Sequence, residues 1–119
     1  MKTLKNRVQL IGRLGKNPEI RELKNGQHVA RFSLATTETF RNADGEKKQD
    51  VQWHNVVAWN KLAEIAANYL TKGAEVAVDG QIKYKVFDDS EGNTRYYTEI
   101  IVNELLMMNK SQLADRKAA

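Results

Sequence analysis

Cysteine is absent from this 119-residue chain, which excludes a disulfide framework and a thiolate zinc site. Histidine occurs only as His28 and His54, too few and too isolated for a metal cluster. No apolar run is long enough to span a bilayer, and the lysines of Met1 to Asn6 have no apolar stretch behind them. Export and membrane insertion are therefore not expected, and a cytoplasmic protein without cofactor or metal is. Proline appears once, in Asn17-Pro18, where it marks a break in the chain. The acids are scattered or gathered in Asp88-Asp89-Ser90-Glu91, a polar stretch, with no carboxylate cluster of the kind metal-dependent hydrolysis needs. An enzyme is disfavoured.

What is present is one globular domain's worth of sequence, 41% hydrophobic and 29% charged. The formal net charge of +4 is unevenly placed, because residues 1–48 carry eleven Lys or Arg against five Asp or Glu, and 49–119 carry eight against ten. A basic first half fits a polyanion groove, and it equally fits a solvated surface of mixed charge.

Alternation predicts a strand over Asn6–Leu14, resuming at Glu19–Leu23, and Lys24-Asn25-Gly26-Gln27 reads as a tight two-residue hairpin turn. His28–Thr37 follows, with Ala30, Phe32 and Leu34 on one face and Arg31 and Ser33 on the other. A polar loop containing Asp44-Gly45 leads to a strand over Gln49–Trp59. Asn60 is placed as an N-cap, and Leu62, Ile65, Ala66, Tyr69 and Leu70 repeat with helical spacing up to Lys72-Gly73. Glu75–Tyr84 and Arg95–Asn103 alternate again around a polar tip at Asp88 to Asn93. A helix between the third and fourth of five strands is the order of a mainly β Greek-key barrel of the OB type, whose strand face and loops bind oligonucleotides or oligosaccharides. The fold does not choose between them.

Trp53 and Trp59 share parity on one strand, so an unbroken pleat puts both on one face with Val51, Asn55 and Val57. Such a face is either core or a stacking platform. Several segments together resemble the bacterial single-stranded-DNA-binding proteins: Asn6-Arg7-Val8, Gly12-Arg13-Leu14-Gly15, Asn17-Pro18-Glu19-Ile20-Arg21, Phe32-Ser33-Leu34-Ala35-Thr36, Gln52-Trp53-His54-Asn55-Val56-Val57, Lys61-Leu62-Ala63-Glu64, Lys72-Gly73 and Val78-Asp79-Gly80-Gln81-Ile82. Order and spacing hold over about residues 4–108.

That resemblance implies sequence-independent binding of single-stranded DNA, with RNA also allowed, in replication, recombination and repair. It implies stacking of bases on Phe40, Trp53, Trp59 and Phe87, and phosphate contacts from Arg7, Arg21, Lys61, Lys72, Lys83, Lys85 and Arg95. It places His54 at a subunit contact and implies a homo-oligomer, a tetramer in most relatives. Asn55 stands where many relatives have a basic residue, which weakens the case for one phosphate contact. Tyr84, Tyr96 and Tyr97 are expected to pack across the sheet. Leu105-Leu106-Met107-Met108, after the last strand, adds apolar surface or caps the core.

The expected division is a barrel domain over 1–108 and a short, flexible, net basic tail over 109–119. Relatives usually continue into a linker with an acidic tip, so recruitment of repair proteins through such a tip is not expected if the chain ends here. A truncated chain and a specialised paralogue both fit that ending. The alternative function is an OB-type protein-interaction module of the primosome-accessory kind, without strong stacking.

Overall fold

The computed structural model describes residues 4–108, so the expected tail at 109–119 lies outside the described residues. After a single 3-10 turn at Leu4–Asn6, six strands and one helix follow: β1 (Val8–Leu14), β2 (Glu19–Glu22), β3 (His28–Arg41), β4 (Lys47–Trp59), α1 (Lys61–Tyr69), β5 (Glu75–Asp88) and β6 (Thr94–Met107). They form one sheet in the order β1-β5-β6-β4-β3-β2, and β1 pairs back onto β3 to close it. The closed ring has five strands, antiparallel throughout except where β4 runs parallel to β6. This is the OB-type barrel expected from the sequence, with α1 between its third and fourth strands. The short β2 pairs with β3 alone, outside the ring.

Closure depends on β1 changing partner. It pairs with β5 from Val8 to Arg13 and with β3 at Arg13 and Leu14. Gly12 sits at the crossing, where a β-carbon would overlap the Ala35 carbonyl of β3. The inner face holds Leu14, Ala30, Phe32, Leu34, Val56, Ala58, Val76, Val78, Ile100 and Val102, all buried. A register shift at Asp79 and Gly80 leaves Asn103 as an extra residue on β6. Beyond it the inward parity changes, so Leu105 and Met107 pack against the core while Leu106 stays exposed. The apolar stretch is thus part of the last strand rather than a sequel to it.

The helix closes one end of the barrel through Ala63, Ala66 and Leu70, with Leu62 alongside. Tyr69, expected on the buried stripe, is exposed, and the helix ends at Tyr69 rather than at Lys72-Gly73. Asn60 precedes the helix with a positive φ and makes no side-chain cap. Its Oδ1 accepts the His28 N–H at 3.2 Å and its own N–H donates to the His28 carbonyl at 2.8 Å, tying the helix start to β3. Among the described residues, no helix is long and apolar enough to cross a membrane.

All three hairpins use one connection. Leu23, Asn42 and Asp89 each accept the N–H of a glycine three residues on, namely Gly26, Gly45 and Gly92, and each then donates to the carbonyl of the following residue. That is a type I turn followed by a left-handed residue, and all three glycines have positive φ. The turn at Gly26 is therefore a three-residue connection, not the expected two-residue one.

Candidate nucleic-acid interface

The residues alternating with the core residues form an outward face that runs across β2, β3, β4, β6 and β5. The β3–β4 register is unbroken from Val29 opposite Trp59 to Arg41 opposite Lys47, so Trp53, Asn55, Val57 and Trp59 share this face with Arg31, Ser33 and Ala35. Rows across the sheet place Arg21 beside Val29 and Val29 beside Trp59. Glu19 lies beside Arg31, Arg31 beside Val57, and Val57 beside Ile101. On the far side, Lys83 lies opposite Glu99, Lys85 opposite Tyr97, and Phe87 opposite Arg95.

Trp53 is 62% exposed, a large apolar ring left in solvent in the middle of a sheet. It is seated on Gly15: a β-carbon there would come within 2.5 Å of the ring. The Gly15 N–H is fixed by the Ser33 carbonyl at 3.1 Å, so the seat is part of the sheet. Beside Trp53, a cleft is lined by His54, Asn55, Tyr97, Thr98 and Ile100. An adjoining open groove of about 300 Å³ is lined by Lys16, Asn17, Arg31, Ser33, Asn55 and Tyr97, among others. Tyr97 borders both and meets Phe87 edge to face, with ring centroids 5.5 Å apart and planes at 74°. Trp53, Tyr97 and Phe87 thus offer a broken line of ring surface with cations beside it.

The expected stacking residues are not all gathered. Trp53, Trp59 and Phe87 lie on the outward face, whereas Phe40, half exposed, has the parity of Phe32 and Leu34 and so sits on the opposite face of the β3–β4 ribbon. Of the expected phosphate contacts, Arg21, Lys83, Lys85 and Arg95 are outward, and Lys61 and Lys72 are exposed at the two ends of the helix region. Arg7 is elsewhere. Its guanidinium grips Asp79 with two bonds of 3.2 and 3.0 Å, in a shallow depression bordered by Gln9, Ile11 and Leu106. Arg95 donates to Asp89 at 2.9 Å, and that contact, with the Asn93 N–H, holds the Asp89 carboxyl below its ordinary range against desolvation. His54 points inward from β4 and its Nε2 lies 2.9 Å from the Thr36 hydroxyl.

Four functional candidates escaped the sequence reading: Gly15, Arg31, Tyr97 and Glu99. The sequence expectation places Tyr97 with Tyr84 and Tyr96 in sheet packing, yet Tyr84 and Tyr96 are 75% and 76% exposed on the other face of the β5–β6 ribbon. The signal was available in parity, since Tyr97 alternates with Arg95 and Glu99 and against the apolar Ile100 and Val102. Nothing local announces Gly15 or Glu99, whose partners come from other strands.

Comparison with known proteins agrees with this geometry. The model of the single-strand binding protein family matches residues 5–108. A protein of Chlorobaculum tepidum described as single-stranded DNA-binding protein 1 is 42% identical over 104 residues, which is 87% of this chain and 64% of that protein's length. Among solved structures, that of the Plasmodium falciparum SSB complex with ssDNA superposes with a TM-score of 0.82 at 33% identity, covering 92% of this chain and 98% of that one. The chain accordingly belongs to the single-strand binding protein family.

Proposed function

We propose that the outward face binds single-stranded DNA with little sequence preference. Single strands offer unstacked base faces and a phosphate chain, and a ring in solvent beside cations meets both. The observation that carries the reading is Trp53, 62% exposed yet seated against Gly15 on a face that also carries Arg31, Lys83, Lys85 and Arg95. In this reading Trp53, Trp59 and Phe87 stack bases, Tyr97 joins them, and Arg21, Lys83, Lys85 and Arg95 meet phosphates. Phe40, Lys61 and Lys72 extend the path around the barrel, and Arg7 joins it only by leaving Asp79. The binding needs no bond-making residue, and RNA is also an allowed guest, because stacking and phosphate contacts do not by themselves read the sugar.

Membership of the family supports a role in coating exposed strands during replication, recombination and repair, and assembly as a homo-oligomer is part of the same reading. Ile11 of β1 and Leu106 of β6, 59% and 63% exposed on either side of Ala77 of β5, form apolar surface suited to a second copy. His54, bonded to Thr36, supports that assembly by fixing β4 from within. A protein-interaction module does not account for solvent-exposed rings lined up with cations.

The test is a titration with a single-stranded oligo-thymidine followed by tryptophan fluorescence, at low and high salt, with duplex DNA as control. Strong quenching by the single strand alone is the expected result; neither quenching nor binding at low salt would remove the proposal. A sharper version uses Gly15→Ala. The added methyl meets only the far end of the Trp53 ring, so the melting temperature should stay within a few degrees. The ring is tilted off its seat, and affinity should fall about three- to tenfold.

A further inference from the structure

We propose that Arg31 and Glu99, which line the groove, form with the neighbouring Lys85 one phosphate subsite, with Glu99 as the residue that positions both cations. It rests on the single-strand reading of the outward face and joins Lys85, a phosphate contact the resemblance already implies, to Arg31 and Glu99, which it does not. Glu99 belongs to the outward face by parity, yet its side chain is 1% exposed. A carboxylate is retained out of water only with compensating charge. Here the Arg31 guanidinium donates to Oε2, and the Lys85 ammonium lies 3.1 Å from Oε1. That second contact falls outside hydrogen-bond geometry, so charge alone holds it.

The two cations arrive from opposite sides. Lys85 comes from β5 beside Tyr97, and Arg31 comes from β3, two strands away from β6. To reach Glu99, Arg31 must pass across β4 over Val57, its direct neighbour, and Val57 is 1% exposed although it faces outward. The path is open because Asn55 is short; its amide turns aside to the Thr98 carbonyl at 3.4 Å. Arg31 thus brings to the middle of the face the positive charge that position 55 lacks.

Both cations keep donors for a ligand. Their side chains are 45% and 35% exposed, and a guanidinium has five N–H donors of which Glu99 takes one. The trio carries a net +1 charge and opens onto Lys16, Asn17, Ser33 and Asn55, which add further donors, with Glu19 the opposing acid at the rim. A phosphate diester with its bases against Trp53 and Tyr97 fits this arrangement.

Glu99→Gln separates positioning from charge counting, because removing an acid from a polyanion-binding face should by itself tighten binding. If Glu99 positions Arg31 and Lys85, oligo-thymidine binding instead weakens about three- to tenfold at 0.1 M salt, and Arg31→Met then costs less in that background than alone. Arg31→Met by itself should weaken binding about tenfold and lower the slope of log affinity against log salt by about 0.7. Arg31→Lys guards against a folding artefact and should restore most of the slope. Asn55→Arg added to Arg31→Met should restore it too, by supplying the cation from β4. Tighter or unchanged binding by Glu99→Gln, or an unmoved slope in a well-folded Arg31→Met, overturns the subsite while leaving the platform intact. Absence of binding by the unmodified protein would instead remove the platform itself.

Discussion

Trp53→Ala is expected to weaken binding to a single-stranded oligo-thymidine by about five- to 150-fold, the value of one base stack of roughly 1–3 kcal/mol. Stability should change little, because Trp53 is 62% exposed. Affinity and folding are thereby uncoupled, which is the signature of a surface built for a ligand. Melting by circular dichroism and binding by fluorescence anisotropy with a labelled oligonucleotide read the two independently. A variant that melts normally and binds as tightly as the parent would show that Trp53 carries no base. Trp59→Ala provides the contrast. Trp59 is part-buried beside Val29, so its loss should cost stability as well as affinity.

Gly12→Ala is expected to be the most damaging single methyl in the chain. The new carbon overlaps the Ala35 carbonyl, a backbone group, so no side chain can swing aside to relieve it. Relief requires β1 to pull away from β3 at Arg13 and Leu14, where the barrel closes. A cost of about 3 kcal/mol or more follows from overpacking at a site that cannot adjust. For a domain this size that lowers the melting temperature by about 15 °C. Gly45→Ala, at a hairpin tip with a positive φ and open space around it, should cost only about 1 kcal/mol. Chemical denaturation of the pair distinguishes a packing constraint from a purely conformational one, and equal losses would contradict the closure described.

The order of elements and the inner face were legible because they are written with periods of two and 3.6. Ala30, Phe32 and Leu34 alternate cleanly, and so do Ile100 and Val102, so the core was readable by parity. The bulge at Asn103 was not, since nothing before Leu105 signals that inward parity is about to change. The helix misled at Tyr69, because the barrel end accepts a stripe centred on alanines and leaves the tyrosine outside. In the site, Trp53 and the cations of β5 were legible as residue types on a strand. Arg31 with Glu99 was not, because a bond between residues 68 positions apart, reaching over an intervening strand, leaves no local trace. Phe40 shows the converse: its identity suggested the platform, while its register places it on the other face of its ribbon.

The long hairpins also set how the molecule comes apart. β3, β5 and β6 each run 14 residues and β4 runs 13, but no residue beyond Leu34 on β3 or before Val56 on β4 is buried, and the β5–β6 arm past Ile82 holds only Glu99 and Ile100. The distal halves are therefore ladders without a core beneath them. Their amide protons are expected to exchange through local fraying at low free-energy cost, and those of the ring only on global unfolding, a difference that native-state hydrogen exchange reads directly. On the proposed reading, a strand laid along Trp53, Tyr97 and Phe87 would tie these arms down, so part of the binding energy would be spent on conformational entropy, and the guest would become a reporter of how rigid its host was beforehand.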